Sequence, residues 1–204
     1  MGAQITTIFL SMALVTAIRQ FASSQQTIFH WLILFYFILN NIRYFYGDIK
    51  FSECDNNIKK DVLGFEQVID VHLYVITRFL IVVLALFIDN IEKFLWIFAG
   101  SQIVGVLYLF FTIVVLLDPT KDTNEPKKIP ILWHWLWFNV AEIALAVVMV
   151  LLLTMESDLK VQFKSLTSVV FKNWVLGIGF GLLFFIQIID WALHQKFLFA
   201  PSKR

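Results

Sequence analysis

The chain has 204 residues, 59% of them hydrophobic and 17% aromatic, with only 15% charged and a net charge of +1. A soluble domain of this length is nearer half apolar and a quarter charged, so a mean hydropathy of +0.78 asks for lipid around most of the surface. Near-neutral charge without a basic stripe excludes nucleic acid as a partner, and the single cysteine, Cys54, excludes an internal disulfide, a CxxC redox pair and a thiolate metal cluster.

Spanning the hydrocarbon core takes about 20 mostly apolar residues at about 1.5 Å each. The first candidate covers residues 3–22. No basic segment precedes it, so a cleaved signal peptide is not expected; Met1-Gly2 with Thr6 fits the loose myristoylation pattern. Its uncharged part is about 24 Å long as a helix, enough to span with tilt or local thinning. If it lies in the interface, five spans remain. The second run, 27–46, carries His30 and ends in a polar stretch with Asn40 and Arg43. Residues 71–89 hold His72, Tyr74 and Arg78, with Asp70 just before them, and 94–117 hold no charge. The fifth span, 130–155, contains His134, Trp135, Asn139 and Glu142; the last, 173–197, ends in Gln187, Asp190 and His194 at helical spacing. The expected fold is therefore an all-α polytopic transmembrane bundle of about six helices, one domain over residues 1–204.

Short connections at 19–26 and 89–93 predict antiparallel hairpins. Two of the longer linkers carry amphipathic stripes, Ile58, Val62, Phe65 and Ile69 in one and Leu159, Phe163, Leu166 and Val170 in the other, which read as helix packed on the bundle or the interface. Residues 118–130 form a polar loop punctuated by prolines. Gly177 and Gly181 make a G-x-x-x-G pair, read as a close helix contact within the bundle, with a homo-oligomer seam as the alternative. With Arg78 set aside, ten Lys and Arg fall on the side of the termini and five on the other. The positive-inside rule then puts both termini in the cytoplasm of a cell-membrane protein.

A charge at mid-bilayer costs about 2.5–3.5 kcal/mol on insertion scales, so it faces protein or water and pairs. Arg78 and Glu142 fall at similar depth, which predicts an ion pair between the third and fifth spans, one turn from Asn139. The candidate site is thus Arg78, Asn139, Glu142 and Asp190, supported by Asn40, Arg43, Asp70, Tyr74, Trp135, Gln187 and His194. These groups lie from mid-bilayer towards the cytoplasm, as a polar vestibule open on that side. Asp70, His72 and His194 better suit headgroup contacts at helix ends. No H-E-x-x-H or G-x-S-x-G occurs, and no catalytic or metal set is assigned.

Two functional readings follow. In the first, the polar site carries ions or small solutes. In the second, the chain is a non-transporting anchor or partner-binding subunit of a membrane complex, using the linker 47–70. A third, a membrane haem or redox carrier, rests only on two of His72, His134 and His194 at one depth, and haem is not the expected cofactor.

Overall fold

The computed structural model describes residues 2–24, 26–55, 65–116, 129–159 and 166–198. Six α-helices account for nearly all of them: α1 (Gly2–Ser23), α2 (Ile28–Asp55), α3 (Phe65–Ala85), α4 (Ile91–Leu116), α5 (Ile129–Leu159) and α6 (Leu166–Leu198). No strand occurs among the described residues. Four helices contain segments long and apolar enough to cross a bilayer, Ile28–Tyr46, Ile91–Val114, Pro130–Met155 and Val169–His194. Helices α1 and α3 carry shorter apolar stretches, Thr7–Ser23 and His72–Ala85. The chain is an all-α helical membrane bundle.

Several helices run past the expected spans: α2 continues to Asp55, while α3 and α6 begin at Phe65 and Leu166. Hydropathy marks where a helix meets hydrocarbon, but a helix ends only at a breaker, and residues 47–55, 65–70 and 166–172 contain no proline. The stripes through Ile58 and Val62 and through Phe163, and the 118–130 loop, lie largely outside the described residues.

Both short connections close by local hydrogen bonds. At the end of α1, the hydroxyls of Ser23 and Ser24 donate to the carbonyls of Gln20 and Phe21, satisfying groups the helix leaves bare. Thr27 begins α2: its backbone N–H donates to His30 Nδ1 at 3.3 Å, and its hydroxyl lies 2.7 Å from the same nitrogen. This is the capping-box logic with a histidine as the returning acceptor. An accepting Nδ1 leaves the ring proton on Nε2, which donates to the Asp89 carbonyl at 3.1 Å. At the second turn, Asn90 Oδ1 accepts from the Lys93 N–H at 3.1 Å and caps α4. His30 therefore ties the α1–α2 turn to the α3–α4 turn, and both turns lie at one end of the bundle.

Each helix packs chiefly on two others, in the cyclic order α1, α2, α6, α5, α4, α3 and back to α1. Helices α3 and α5 are therefore not neighbours, contrary to the sequence expectation; α4 stands between them. Towards the hairpin turns the interior is apolar, with Ala17, Ile33, Phe37, Leu84, Phe94, Phe98, Met149, Leu153 and Phe180 drawn from all six helices. Large apolar side chains such as Trp31, Phe79, Leu107, Ile178 and Phe185 face outwards, as they do where the solvent is lipid.

The G-x-x-x-G expectation is corrected. A Cβ built on Gly177 or Gly181 meets nothing within 4 Å, whereas one on Gly179 falls against the Met149 thioether. The close approach of α6 to α5 is made by Gly179, because two residues further along the helix is the opposite face.

Candidate functional site

Beyond the apolar plug, away from the hairpin turns, the interior turns polar. Helix α2 supplies Asn40 and Arg43, α5 supplies Asn139 and Glu142, and α6 supplies Gln187, Asp190 and His194; all are buried. Each set recurs at three- or four-residue intervals, so each helix turns one polar stripe inwards.

Arg43 is the hub. Its Nε lies 2.6 Å from Asp190 Oδ2, its Nη1 3.5 Å from Glu142 Oε1, and its Nη2 donates to Asn139 Oδ1 at 3.3 Å. The planar guanidinium carries five donors in a fixed fork, which is why one side chain can face two carboxylates and an amide. The Gln187 amide donates to Glu142 Oε1 at 2.8 Å and to Asn40 Oδ1 at 3.0 Å. His194 Nδ1 lies 2.8 Å from Asp190 Oδ1 and 3.0 Å from the Asp190 carbonyl. Both neighbours are acceptors, so Nδ1 carries a proton. The rings of His134 and Trp135 stand 5.7 Å from that of His194. His194 Nε2 is buried without a hydrogen-bond partner.

The expected Arg78–Glu142 pair is not formed: Glu142 faces Arg43. Counting along the chain sets depth but not position around the ring, where α4 separates α3 from α5. Arg78 is buried and lies over the rings of Tyr44 and Tyr74, its guanidinium carbon 5.3 Å and 5.0 Å from their centroids. Arg43 approaches the Tyr44 ring at 5.7 Å. The Tyr44 hydroxyl donates to Gln102 Oε1 on α4 at 2.8 Å.

A cavity of about 80 Å³ lies among α2, α3, α4 and α5, walled by Arg43, Tyr44, Arg78, Tyr108, Trp135 and Asn139 among others. Gly105 lines it too, and a Cβ there falls 3.2 Å from Asn139 Nδ2. Glycine at this position lets α4 approach the amide.

The structure thus brings together Arg43, Asn40, Asn139, Glu142, Gln187, Asp190 and His194, and sets Arg78, Tyr74 and Trp135 around the adjoining cavity. His194 is buried in the network rather than at a headgroup, while His72 and His134 are exposed. The Asp70 side chain lies outside the described residues. The vestibule expected to be open is a buried network, with Glu142 and Asp190 each at 0% exposure. Tyr44 and Gln102 were missed as participants, and Arg43 was given only a supporting place. The sequence signal for its role is Tyr36, Asn40 and Arg43 at i, i+4 and i+7, which puts Arg43 on the inward stripe of α2.

No group of three or more His, Cys, Asp or Glu able to hold a metal occurs among the described residues. Comparison of the chain with protein families, with curated proteins and with solved structures finds no match.

Proposed function

We propose that the chain moves an ion or small solute across the membrane, using the polar site centred on Arg43, Glu142 and Asp190. The observation that supports this most is three charged side chains from three helices, buried together inside a membrane bundle, where a charge is costly and marks a solute path. Beside them, His194 Nε2 has no hydrogen-bond partner, although a buried polar atom left bare costs about 1–3 kcal/mol. A network whose only duty is to fix helix positions gains nothing from bare atoms. One that exchanges partners with a passing solute needs them. In this reading the protein sits in the cell membrane with both termini in the cytoplasm, as the ten-to-five distribution of Lys and Arg supports.

The test is flux into vesicles reconstituted with the purified chain, with sodium, potassium, chloride, phosphate and protons each offered as a gradient. Flux above protein-free vesicles, changed several-fold by Glu142→Gln, is expected. No flux for any of the five overturns the reading. The alternative, a non-transporting subunit of a membrane complex, draws support from Arg43 being countered by two carboxylates, which locks α2, α5 and α6 together. It predicts a partner that co-purifies and is lost when residues 47–70 are replaced.

A further inference from the structure

Of the four histidines only His194 is buried, and its two ring nitrogens have different surroundings. Nδ1 lies 2.8 Å from Asp190 Oδ1 and 3.0 Å from the Asp190 carbonyl, so it keeps its proton. Nε2 is buried without a hydrogen-bond partner and is therefore the nitrogen at which a proton is gained or lost. The ring packs among those of His134, Trp135 and Phe138, with centroids 5.7, 5.7 and 6.3 Å away. Such a setting leaves little volume for a solute, whereas a proton needs none. His134 stands in the second turn of α5 and His194 near the end of α6, both at the end of the bundle away from the hairpins. The His134 side chain is exposed, so it can exchange protons with the surroundings and hand them to the buried ring.

Helix α6 packs on α5 and α2. Among the described residues, the charged and titratable groups facing the Asp190–His194 pair from those helices are His134 and Glu142 on α5 and Arg43 on α2. Arg43 is shared, its Nε 2.6 Å from Asp190 Oδ2 and its Nη1 3.5 Å from Glu142 Oε1. A proton on Nε2 makes the His194 ring a cation against Asp190, which then counters two cations at once. Its hold on Arg43 is divided, and Glu142 gains by comparison.

We propose that His194 Nε2 is a proton-binding site, loaded through His134, and that the bound proton shifts Arg43 from Asp190 towards Glu142. In the transfer, an N–H bond on the His134 ring breaks, one forms at His194 Nε2, and His134 regains a proton from water. Joined to the transport reading above, this makes the proton the coupling ion; the binding site itself does not rest on that reading.

The full-length chain, isotopically labelled at the histidine nitrogens and held in phosphatidylcholine nanodiscs, is followed by NMR between about pH 5 and pH 8, where histidine changes charge. The signal that His194→Gln, or equally His194→Asn, removes is expected to pass from the neutral Nδ1–H ring to the doubly protonated one as the pH falls. A single protonation state across the range overturns the proposal. The coupling between Arg43 and Asp190, measured by a double-mutant cycle at the two ends of the range, is expected to be smaller at the acid end. Equal coupling at both ends, or a difference that survives His194→Gln, overturns the shift of Arg43. In vesicles with an imposed pH gradient, proton entry read by an enclosed dye is expected to fall at least tenfold with His194→Gln and several-fold with His134→Gln. Titration of His194 without proton entry upholds the site and sinks coupling to transport. Proton entry that His194→Gln leaves unaltered upholds transport and overturns His194 as its proton carrier.

Discussion

A single guanidinium, Arg43, holds the polar interior together, so its removal is the sharpest test at the residue scale. Arg43→Gln leaves Glu142 and Asp190 buried without their cation. Breaking a buried pair in this way costs about 3–5 kcal/mol, which thermal unfolding in detergent reads as a large loss of stability. Neutralising the carboxylates as well, with Glu142→Gln and Asp190→Asn, recovers much of it. A double-mutant cycle between Arg43 and Asp190, 2.6 Å apart, shows strong coupling, whereas one between Arg78 and Glu142 shows much less. Equal coupling in the two cycles contradicts the arrangement. Gly105→Ala presses a methyl to 3.2 Å from the Asn139 amide. Ala gains about 0.5–1 kcal/mol of helix preference over Gly, which offsets the crowding, so the same unfolding assay reads a change within about 1 kcal/mol while the amide that Arg43 grips is displaced.

At the scale of the element, the helix ends and the small-residue faces carry distinct expectations. His30 serves two turns at once, accepting from Thr27 and donating to the Asp89 carbonyl. His30→Ala therefore costs more than loss of a lone cap, which is worth about 0.5–2 kcal/mol, and more than Asn90→Ala at the neighbouring turn. On α6, Gly179→Val drives a branched side chain into Met149 and destabilises the α5–α6 contact, while Gly177→Val, open to its surroundings, changes stability by less than about 0.5 kcal/mol. If the two glycine variants unfold alike, the face assignment is wrong. Helix existence was legible from the apolar runs, four of them long enough to cross a bilayer and two, in α1 and α3, shorter. Helix ends were not, because the expected spans stop at residue 46 and resume at 173, whereas α2 runs on to Asp55 and α6 begins at Leu166.

For the whole molecule, the cyclic order of helices decides which polar groups meet, and the His30 bridge sets the two hairpin turns at one end. Single cysteines at Ser24 and Asp89, in a Cys54→Ser background, are expected to react with an impermeant thiol reagent from the same face of the membrane. Labelling from opposite faces contradicts the topology. The sequence by itself determined the membrane-bundle class, the two hairpins and the residue types of the polar interior, since hydropathy, loop length and helical spacing are local and one-dimensional. Depth along the bilayer is one-dimensional too, which is why counting sets Arg78 and Glu142 at similar depth, with Asp190 and His194 expected nearer the cytoplasmic end. Only the tertiary structure decided that Arg43, not Arg78, faces Glu142, that Gly179 rather than Gly177 makes the close contact, and that the polar groups are enclosed. Those facts depend on rotation about each helix axis and on order around the ring. Both are settled by side chains packing between helices far apart in sequence.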